Sequence, residues 1–432
     1  MTEPLPPAFP AGLRHVLTHR VTAAELAPIA ALLGSSDPTL SSRSAATLMT
    51  RLLVTRFPGP GTRLLREDFR FAGQLAEGDV LEMSVEVAGI AGAGALALAC
   101  TARLADGTAV LDGMAEVIPP AAPPSGEQGP FDMHPRRMLQ ILLERCRKLP
   151  PVPTAVAHPC DAASLEGALL AARHGLIAPI LVGPEARIRG VAEAAGFDLG
   201  GIEILPAPHS HAAAEAAVAL VTQGRAGALM KGSLHTDELL SAALAREAGL
   251  RTERRVSHAF VMDAPLYPRL LIITDAAVNI APDLEAKADI VRNAIGLAGA
   301  IGIELPRIAL LSAVETVTPR MASTIDAAAL CKMADRGQIM GGILDGPLAF
   351  DNAVSEAAAK AKGIVSAVAG RADVLVVPDI ESGNMLAKQL ALLGGAESAG
   401  IVLGLRVPVA LTSRSDDATS RLASAALLRL AA

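Results

Sequence analysis

ALMKGSLHTDELLSAAL, residues 228–244, decides the fold of the larger part of this chain. A short apolar run enters a Lys-Gly-Ser-Leu-His-Thr turn, and the turn opens an apolar-periodic helix. Such a run is a buried strand of a parallel or mixed sheet with helices on its faces. Gly232 lets the backbone approach a ligand closely. Lys231 puts a cation at the carboxyl end of the strand, where α/β sheets bind ligands. Thr236 or Ser233 can cap the helix that follows. An ordinary capped turn beside a surface lysine is the plainer explanation of the same residues.

The pattern repeats on both sides. LEGALLAARHG (165–175) is a helix ending at glycine, and IAPILVG (177–183) is a strand. AAAEAAVALVTQG (212–224) is a helix, and AGALMKG (226–232) a strand. LLIITDAAV (270–278), RIALLSAV (307–314), ADVLVVPD (372–379) and VPVALTS (407–413) are further buried strands. There are too many for one small unit, so two α/β subdomains with a cleft between them are expected. No internal repeat is visible. TAVAHPCDAAS (154–164) is another strand, polar turn and helix start, a place where backbone N–H groups suit an anion.

Towards the N-terminus the pattern stops at IPPAAPPSGEQGP (118–130), a Pro/Gly/Ser seam that reads as a domain boundary. Before it, VLEMSVEVAGI (80–90), ALALACTARLADG (95–107) and TAVLDGMAEVIP (108–119) alternate apolar and polar residues between Gly-rich turns. That is an antiparallel meander with one buried face. ELAPIAALLG (25–34) and RSAATLMTRLLVTRF (43–57) are expected helices. The first domain is therefore α+β.

Composition narrows the function. The chain has 432 residues, of which 51% are hydrophobic, with no Trp and one Tyr. Aromatic stacking on nucleobases has few candidates. The net charge of -6 and the absence of a basic run argue against nucleic acid. Cys100, Cys146, Cys160 and Cys331 lack metal-ligand spacing and read as reduced thiols. No signal peptide and no membrane-length apolar run is seen, so a cytoplasmic protein is expected.

Three more segments carry polar groups at strand ends. ITDAAVNIAPDLE (273–285) supplies Asp275, Asn279 and Asp283, which can either bind Mg²⁺ or orient loops by hydrogen bonding, the latter favoured. VVPDIESGN (376–384) supplies Asp379, Gly383 and Asn384. LTSRSDD (411–417) supplies Thr412, Ser413, Arg414, Asp416 and Asp417.

With KGSLHT, these motifs in this order resemble the phosphate acetyl/butyryltransferase family, and the resemblance covers residues 131–432. It implies a two-lobed fold related to isocitrate/isopropylmalate dehydrogenases, dimeric, with the active site between the lobes. Lobe 1 would be about 131–253 plus 401–432, and lobe 2 about 254–400. It implies reversible transfer of a short acyl group between CoA and inorganic phosphate, with acyl-CoA and phosphate as substrates, no tightly bound cofactor and no metal. The family's Ser-Arg pair falls on Ser413 and Arg414, the serine donating to the thioester carbonyl or thiolate and the arginine binding phosphate or CoA. The basic aspartate falls on Asp416 or Asp417. The implied substrate site further takes in Lys231, Gly232, Ser233, His235, Thr236, Arg251, Asp275, Asn279, Asp379, Gly383 and Asn384. An arginine found in acetyl-specific members is replaced near Ser241, so phosphate binding leans on Lys231 or Arg251. That departure and the KGxLxT form tilt the expectation towards a butyryl-type enzyme.

The chemistry asks for such residues. Two anionic reactants need cations to bring them together, and Arg414 suits phosphate through paired hydrogen bonds. The oxyanion needs donors, from Ser413, backbone N–H groups or Asn384. An aspartate takes the proton from the attacking thiol or phosphate. A covalent acyl-enzyme is not expected.

FPGPGTRLLREDFRFAGQLAEGDVLEMSVEV (57–87) resembles the MaoC-like hot-dog fold of enoyl-CoA hydratases, implying a hot-dog domain over 1–118 and a linker over 119–130. The family's catalytic Asp and His fall on Ser35 and Leu40 of SSDPTLSS (35–42), with Pro38 on its proline. No histidine lies between His19 and His134 to replace the missing one. The domain is expected to be inactive. Fused chains of this kind resemble bifunctional enoyl-CoA hydratase/phosphate acetyltransferases. The rival readings are a metal- and NAD(P)-dependent decarboxylating oxidoreductase, a non-catalytic acyl-CoA-binding module, and a protein that keeps its hydratase activity.

Overall fold

A computed structural model describes residues 8–22, 25–26, 42–92, 94–122, 137–412 and 416–432. The chain divides into two compact units, 1–135 and 136–432. Each has its own apolar cores. One lies among residues 9–117, and the others begin at Met138.

The first unit holds an antiparallel sheet of β1 (Arg14–Arg20), β2 (Arg63–Phe71), β3 (Val80–Gly92), β4 (Ala95–Leu104) and β5 (Ala109–Ile118), in the order β1-β3-β4-β5-β2. The helix Ser42–Thr55 buries Ala45, Leu48, Met49, Leu52 and Leu53, an i, i+3, i+4, i+7 stripe that supplies one apolar face. The sheet answers with Leu81, Met83, Val85 and Val87 on alternate positions of β3, paired with β4 at Val85↔Cys100 and Val87↔Leu98. Of the expected helix over 25–34, all but its first two residues lies outside the described residues, as do Ser35, Pro38 and Leu40.

The second unit is built on one sheet. Its strands are β6 (Val152–Ala157), β7 (Ile177–Gly183), β8 (Ile204–Pro206), β9 (Ala228–Lys231), β10 (Ser257–Asp263) and β11 (Leu271–Thr274). They continue as β12 (Arg307–Leu311), β13 (Ile343–Leu348), β14 (Val374–Val376), β15 (Glu397–Leu403) and β16 (Val409–Ala410). The order is β13-β12-β14-β11-β10-β15-β16-β9-β6-β7-β8. β16, β9, β6, β7 and β8 are mutually parallel, as are β11, β14, β12 and β13. Between the groups β10 and β15 each pair antiparallel with both neighbours. Three reversals therefore separate β11 from β16, and the two parallel groups run in opposite directions.

The register fixes where the motifs go. Met230, Ala410, Ile401, Ala259 and Thr274 are successive partners on one rung of the sheet. Beyond that rung β9 carries Lys231 one way, and β11 carries Asp275 the other. Four strand spacings of about 4.8 Å, roughly 19 Å, separate the two strands. The C-terminal helix Ala418–Ala431 covers the middle of the sheet, burying Leu422, Ala423, Ala425, Ala426, Leu427 and Leu428.

Candidate active site

The KGSLHT turn is built by two adjacent strand ends. Past β6 the chain turns at His158, whose φ of 53° lies in the left-handed region that non-glycine residues seldom enter. The N–H of Gly232 donates to the Ala157 carbonyl (2.9 Å) and the N–H of Ser233 to the His158 carbonyl (2.9 Å), extending the ladder past the strands. The Ser233 hydroxyl donates to the same His158 carbonyl at 2.9 Å and accepts from the N–H of Cys160 at 3.3 Å. His158 Nδ1 lies 3.1 Å from that hydroxyl. The hydroxyl's one proton is already committed to a carbonyl that can only accept, so Nδ1 is the donor of this pair. Burial, and then the guanidinium of Arg187, hold His158 below the usual histidine range. It is neutral near pH 7, with its proton on Nδ1.

His158 and Ser233 line a cleft of about 560 Å³ that also takes in Asp161, Arg187, Ser210, His235 and Glu238. Asp161 caps the helix Ala162–Arg173 through the N–H of Ser164 at 2.7 Å. The cap of the helix Thr236–Leu244 differs from expectation. His235 occupies the N-cap position without a side-chain bond, and neither Ser233 nor Thr236 caps it. Ser233 is unavailable because its hydroxyl is turned back onto β6.

Lys231 is buried. Its Nζ donates to the carbonyl of Thr412 at 3.2 Å and lies 3.5 Å from that of Gly232. This joins the KGSLHT turn to the start of the SRSDD segment, 181 residues away in sequence. Ser413 and Arg414 lie outside the described residues; Thr412 and Asp416 flank them. The carboxylate of Asp417 accepts from the N–H of Ser420 at 2.7 Å and caps the helix Ala418–Ala431. Of the two aspartates, Asp417 therefore has a structural duty.

The remaining motifs gather at the other parallel group. Asp275 is buried, and its carboxylate accepts from the backbone N–H of Ala277 (2.9 Å), Val278 (3.0 Å) and Asn279 (3.0 Å) and from Nδ2 of Asn279. Asn279 in turn donates to the Val256 carbonyl at 2.8 Å and accepts from Arg255 Nε at 2.9 Å. Asp283 caps the helix Leu284–Ala300. Asp379 caps the helix Ile380–Leu392 through the N–H of Ser382 at 2.9 Å. Asn384 Nδ2 donates to the Ala276 carbonyl at 3.2 Å, and a Cβ on Gly383 would stand 2.7 Å from the Asp275 carbonyl. The two motifs thus lock onto each other. With its carboxylate filled by its own loop, Asp275 serves as a loop organiser, and no group of three or more His, Cys, Asp or Glu suited to a metal occurs among the described residues. Arg251 Nε donates to the Leu244 carbonyl at 2.6 Å, at the end of the helix Thr236–Leu244. It is a helix-end contact, and Ser241 is exposed on the same helix.

Sequence reading passed over His158. Its partner Ser233 lies 75 residues away, so no local pattern marks the pair.

Comparison with known proteins settles the family. The phosphate acetyl/butaryl transferase family matches residues 209–428. A phosphate acetyltransferase of Rhizobium meliloti is 62% identical over 289 residues, covering 67% of this chain and 92% of that protein. The chain belongs to the phosphate acetyl/butaryl transferase family. It is an acyltransferase, and CoA and phosphate are handled as substrates rather than as tightly held cofactors. A phosphate butyryltransferase of Clostridium acetobutylicum is 42% identical, covering 68% of this chain and 96% of that protein. The crystal structure of a branched-chain phosphotransacylase from Enterococcus faecalis V583 matches with a TM-score of 0.57 at 32% identity, covering 64% of this chain and 99% of that one. The second unit therefore has the phosphotransacylase fold. No helix among the described residues is long and apolar enough to cross a membrane.

Proposed function

We propose that this phosphate acyltransferase moves an acetyl group reversibly between CoA and inorganic phosphate, at a site built on Lys231, Gly232, Ser233, Ser413, Arg414 and Asp416. The carrying observation is the hydrogen bond from Lys231 of the KGSLHT turn to the carbonyl of Thr412, the residue before Ser413 in sequence. Phosphate held by Arg414 attacks the thioester carbonyl, Ser413 donates to the oxyanion or departing thiolate, and Asp416 takes the proton. Asp417, whose carboxylate caps a helix, is the alternative base. Acetyl is preferred to butyryl because identity to the acetyltransferase reaches 62% against 42% to the butyryltransferase. That reverses the tilt drawn from the KGxLxT form.

The two opposed parallel groups would be the lobes of an isocitrate/isopropylmalate dehydrogenase-like fold, close to 131–253 plus 401–432 and 254–400. Residues 1–118 would form a MaoC-like hot-dog domain without hydratase activity, joined through 119–130. The nearest histidine supports this. His19 Nε2 lies 2.8 Å from Glu25, whose carboxylate also accepts from the N–H of Thr22 at 2.8 Å. That histidine helps to hold a turn. A cytoplasmic homodimer or higher oligomer is part of the proposal.

CoA release from acetyl-, propionyl- and butyryl-CoA, with and without phosphate, tests it on wild type and Ser413→Ala. Phosphate-dependent release led by acetyl-CoA and removed by the substitution is the expected result. No release above background with or without phosphate would leave an acyl-CoA-binding module, and equal activity of Ser413→Ala would remove the assigned site.

A further inference from the structure

Arg421 has no place in the roles described so far. It is the fourth residue of the helix Ala418–Ala431 and only 5% exposed. Its Nη1 donates to the Thr412 hydroxyl at 3.1 Å, and its Nε to the Asp416 carbonyl at 3.3 Å. A guanidinium is a rigid planar fork, so its nitrogens keep a fixed separation. One rigid group therefore touches both flanks of the Ser413–Ser415 segment. Lys231 holds the Thr412 carbonyl.

Gly167 supplies an independent observation. It lies within the helix Ala162–Arg173, where glycine is less favourable than alanine. A Cβ there would stand 3.0 Å from Cδ and 3.3 Å from Cβ of Arg421. The missing side chain is the notch that admits the arginine stem. A leucine or methionine could fill that notch without desolvating a cation, so what the arginine adds is its donors.

We infer that Arg421 is a positioning residue for acyl transfer, clamping Thr412 and Asp416 on either side of residues 413–415, with Gly167 as the notch that seats it. The inference rests on the reading that Ser413 and Arg414 carry the chemistry. Arg421 works through the segment rather than on the substrates, so its removal lowers kcat and leaves the KM values near those of wild type.

The test uses the full-length chain and the variants Arg421→Met, Arg421→Lys, Gly167→Ala, Gly167→Ala with Arg421→Met, and Ser413→Ala. For each, kcat, KM for phosphate and acetyl-CoA, and Tm are measured. A misplacement of about 1 Å costs on the order of 100-fold, the fall in kcat expected for Arg421→Met. Its KM values should move by less than about threefold, the signature of a lost transition-state interaction. Arg421→Lys should recover only part, since one ammonium cannot span both acceptors. Gly167→Ala should lower kcat by itself and add little to Arg421→Met, because the guanidinium donors it would displace are already gone. Arg421→Met with lowered Tm but wild-type kcat would overturn the inference, and so would additive effects of the Gly167 and Arg421 substitutions. If Arg421→Met does not fold, Arg421→Lys and Gly167→Ala decide: wild-type kcat in both also overturns it. Full activity of Ser413→Ala would instead remove the underlying reading, whatever the Arg421 variants do.

Discussion

A Cβ on Gly232 would stand 2.4 Å from the carbonyl oxygen of Ala157 and 2.5 Å from that of His158. Both obstacles are backbone and cannot swing aside, so this position admits glycine alone. Gly232→Ala must part β9 from β6 and break the N–H bond from Gly232 to Ala157. Overpacking of this kind costs about 1–3 kcal/mol. Because Lys231 and Ser233 flank the displaced atom, turnover should fall further than stability does. Thermal unfolding and phosphate-dependent CoA release check this together. An alanine variant matching wild type in both would show that the two strand ends are looser than the packing requires.

That crowding also marks where the sequence stops being legible. Lys231-Gly232 could be read as a ligand-facing turn because the apolar run before it and the helix after it are local patterns. The buried strands β7, β9, β12 and β14 were legible for the same reason. β15 was not, since ESAGIVL mixes polar and small residues and gains its place only by pairing with β10 and β16. Nor could the sequence reveal the reversal of direction across β10 and β15. It is that reversal, a property of register, that sends Asp275 and Lys231 off the rung in opposite directions. Caps were misjudged where a hydroxyl had a distant partner, as Ser233 has in His158.

Asp275→Asn separates loop-building from chemistry. The carboxylate takes three backbone N–H groups and one amide. An asparagine presents an NH₂ to one of those donors, leaving it buried and unmatched. Hydrogen bonds to charged groups contribute about 1.5–3 kcal/mol, and a loss at the upper end of that range is expected in urea unfolding. The folded fraction should keep its turnover, since Lys231 lies about four strand spacings away. A fully folded Asp275→Asn protein without activity would instead put Asp275 in the reaction.

Two buried histidines set an acid limit on stability. Burial pushes His258 down to about 4, against a smaller upward pull from Asp275. Burial and Arg187 likewise depress His158. Both bind protons more weakly in the folded chain than in the unfolded one. Their contribution is therefore complete above the unfolded value of about 6.5 and declines as pH falls through that value towards the folded ones. Chemical denaturation midpoints should be level from pH 8 to about 7 and drop below about 6.5. His258→Gln should flatten part of that drop. A drop of unchanged size in that variant would assign the acid limit to other groups.

The second unit should work without the first. Its cores are made from residues 138 onward, and the core among residues 9–117 shares none of them. The Rhizobium meliloti acetyltransferase aligns over 92% of its own length to only 67% of this chain, so a protein of that kind has no room for a further unit the size of residues 1–135. A chain trimmed to 136–432 should fold cooperatively and keep kcat for acetyl-CoA phosphorolysis within about threefold of the full-length value, the range of context effects on such numbers. On the proposed reading of the first unit, in which Ser35 and Leu40 stand in place of an acid–base pair, the trimmed and full-length proteins should both fail to hydrate crotonyl-CoA. Crotonyl-CoA hydration by the full chain, absent from the trimmed one, would show that the first unit has rebuilt its chemistry from other residues. Loss of phosphorolysis on trimming would show that the acyltransferase depends on contacts its relatives do without.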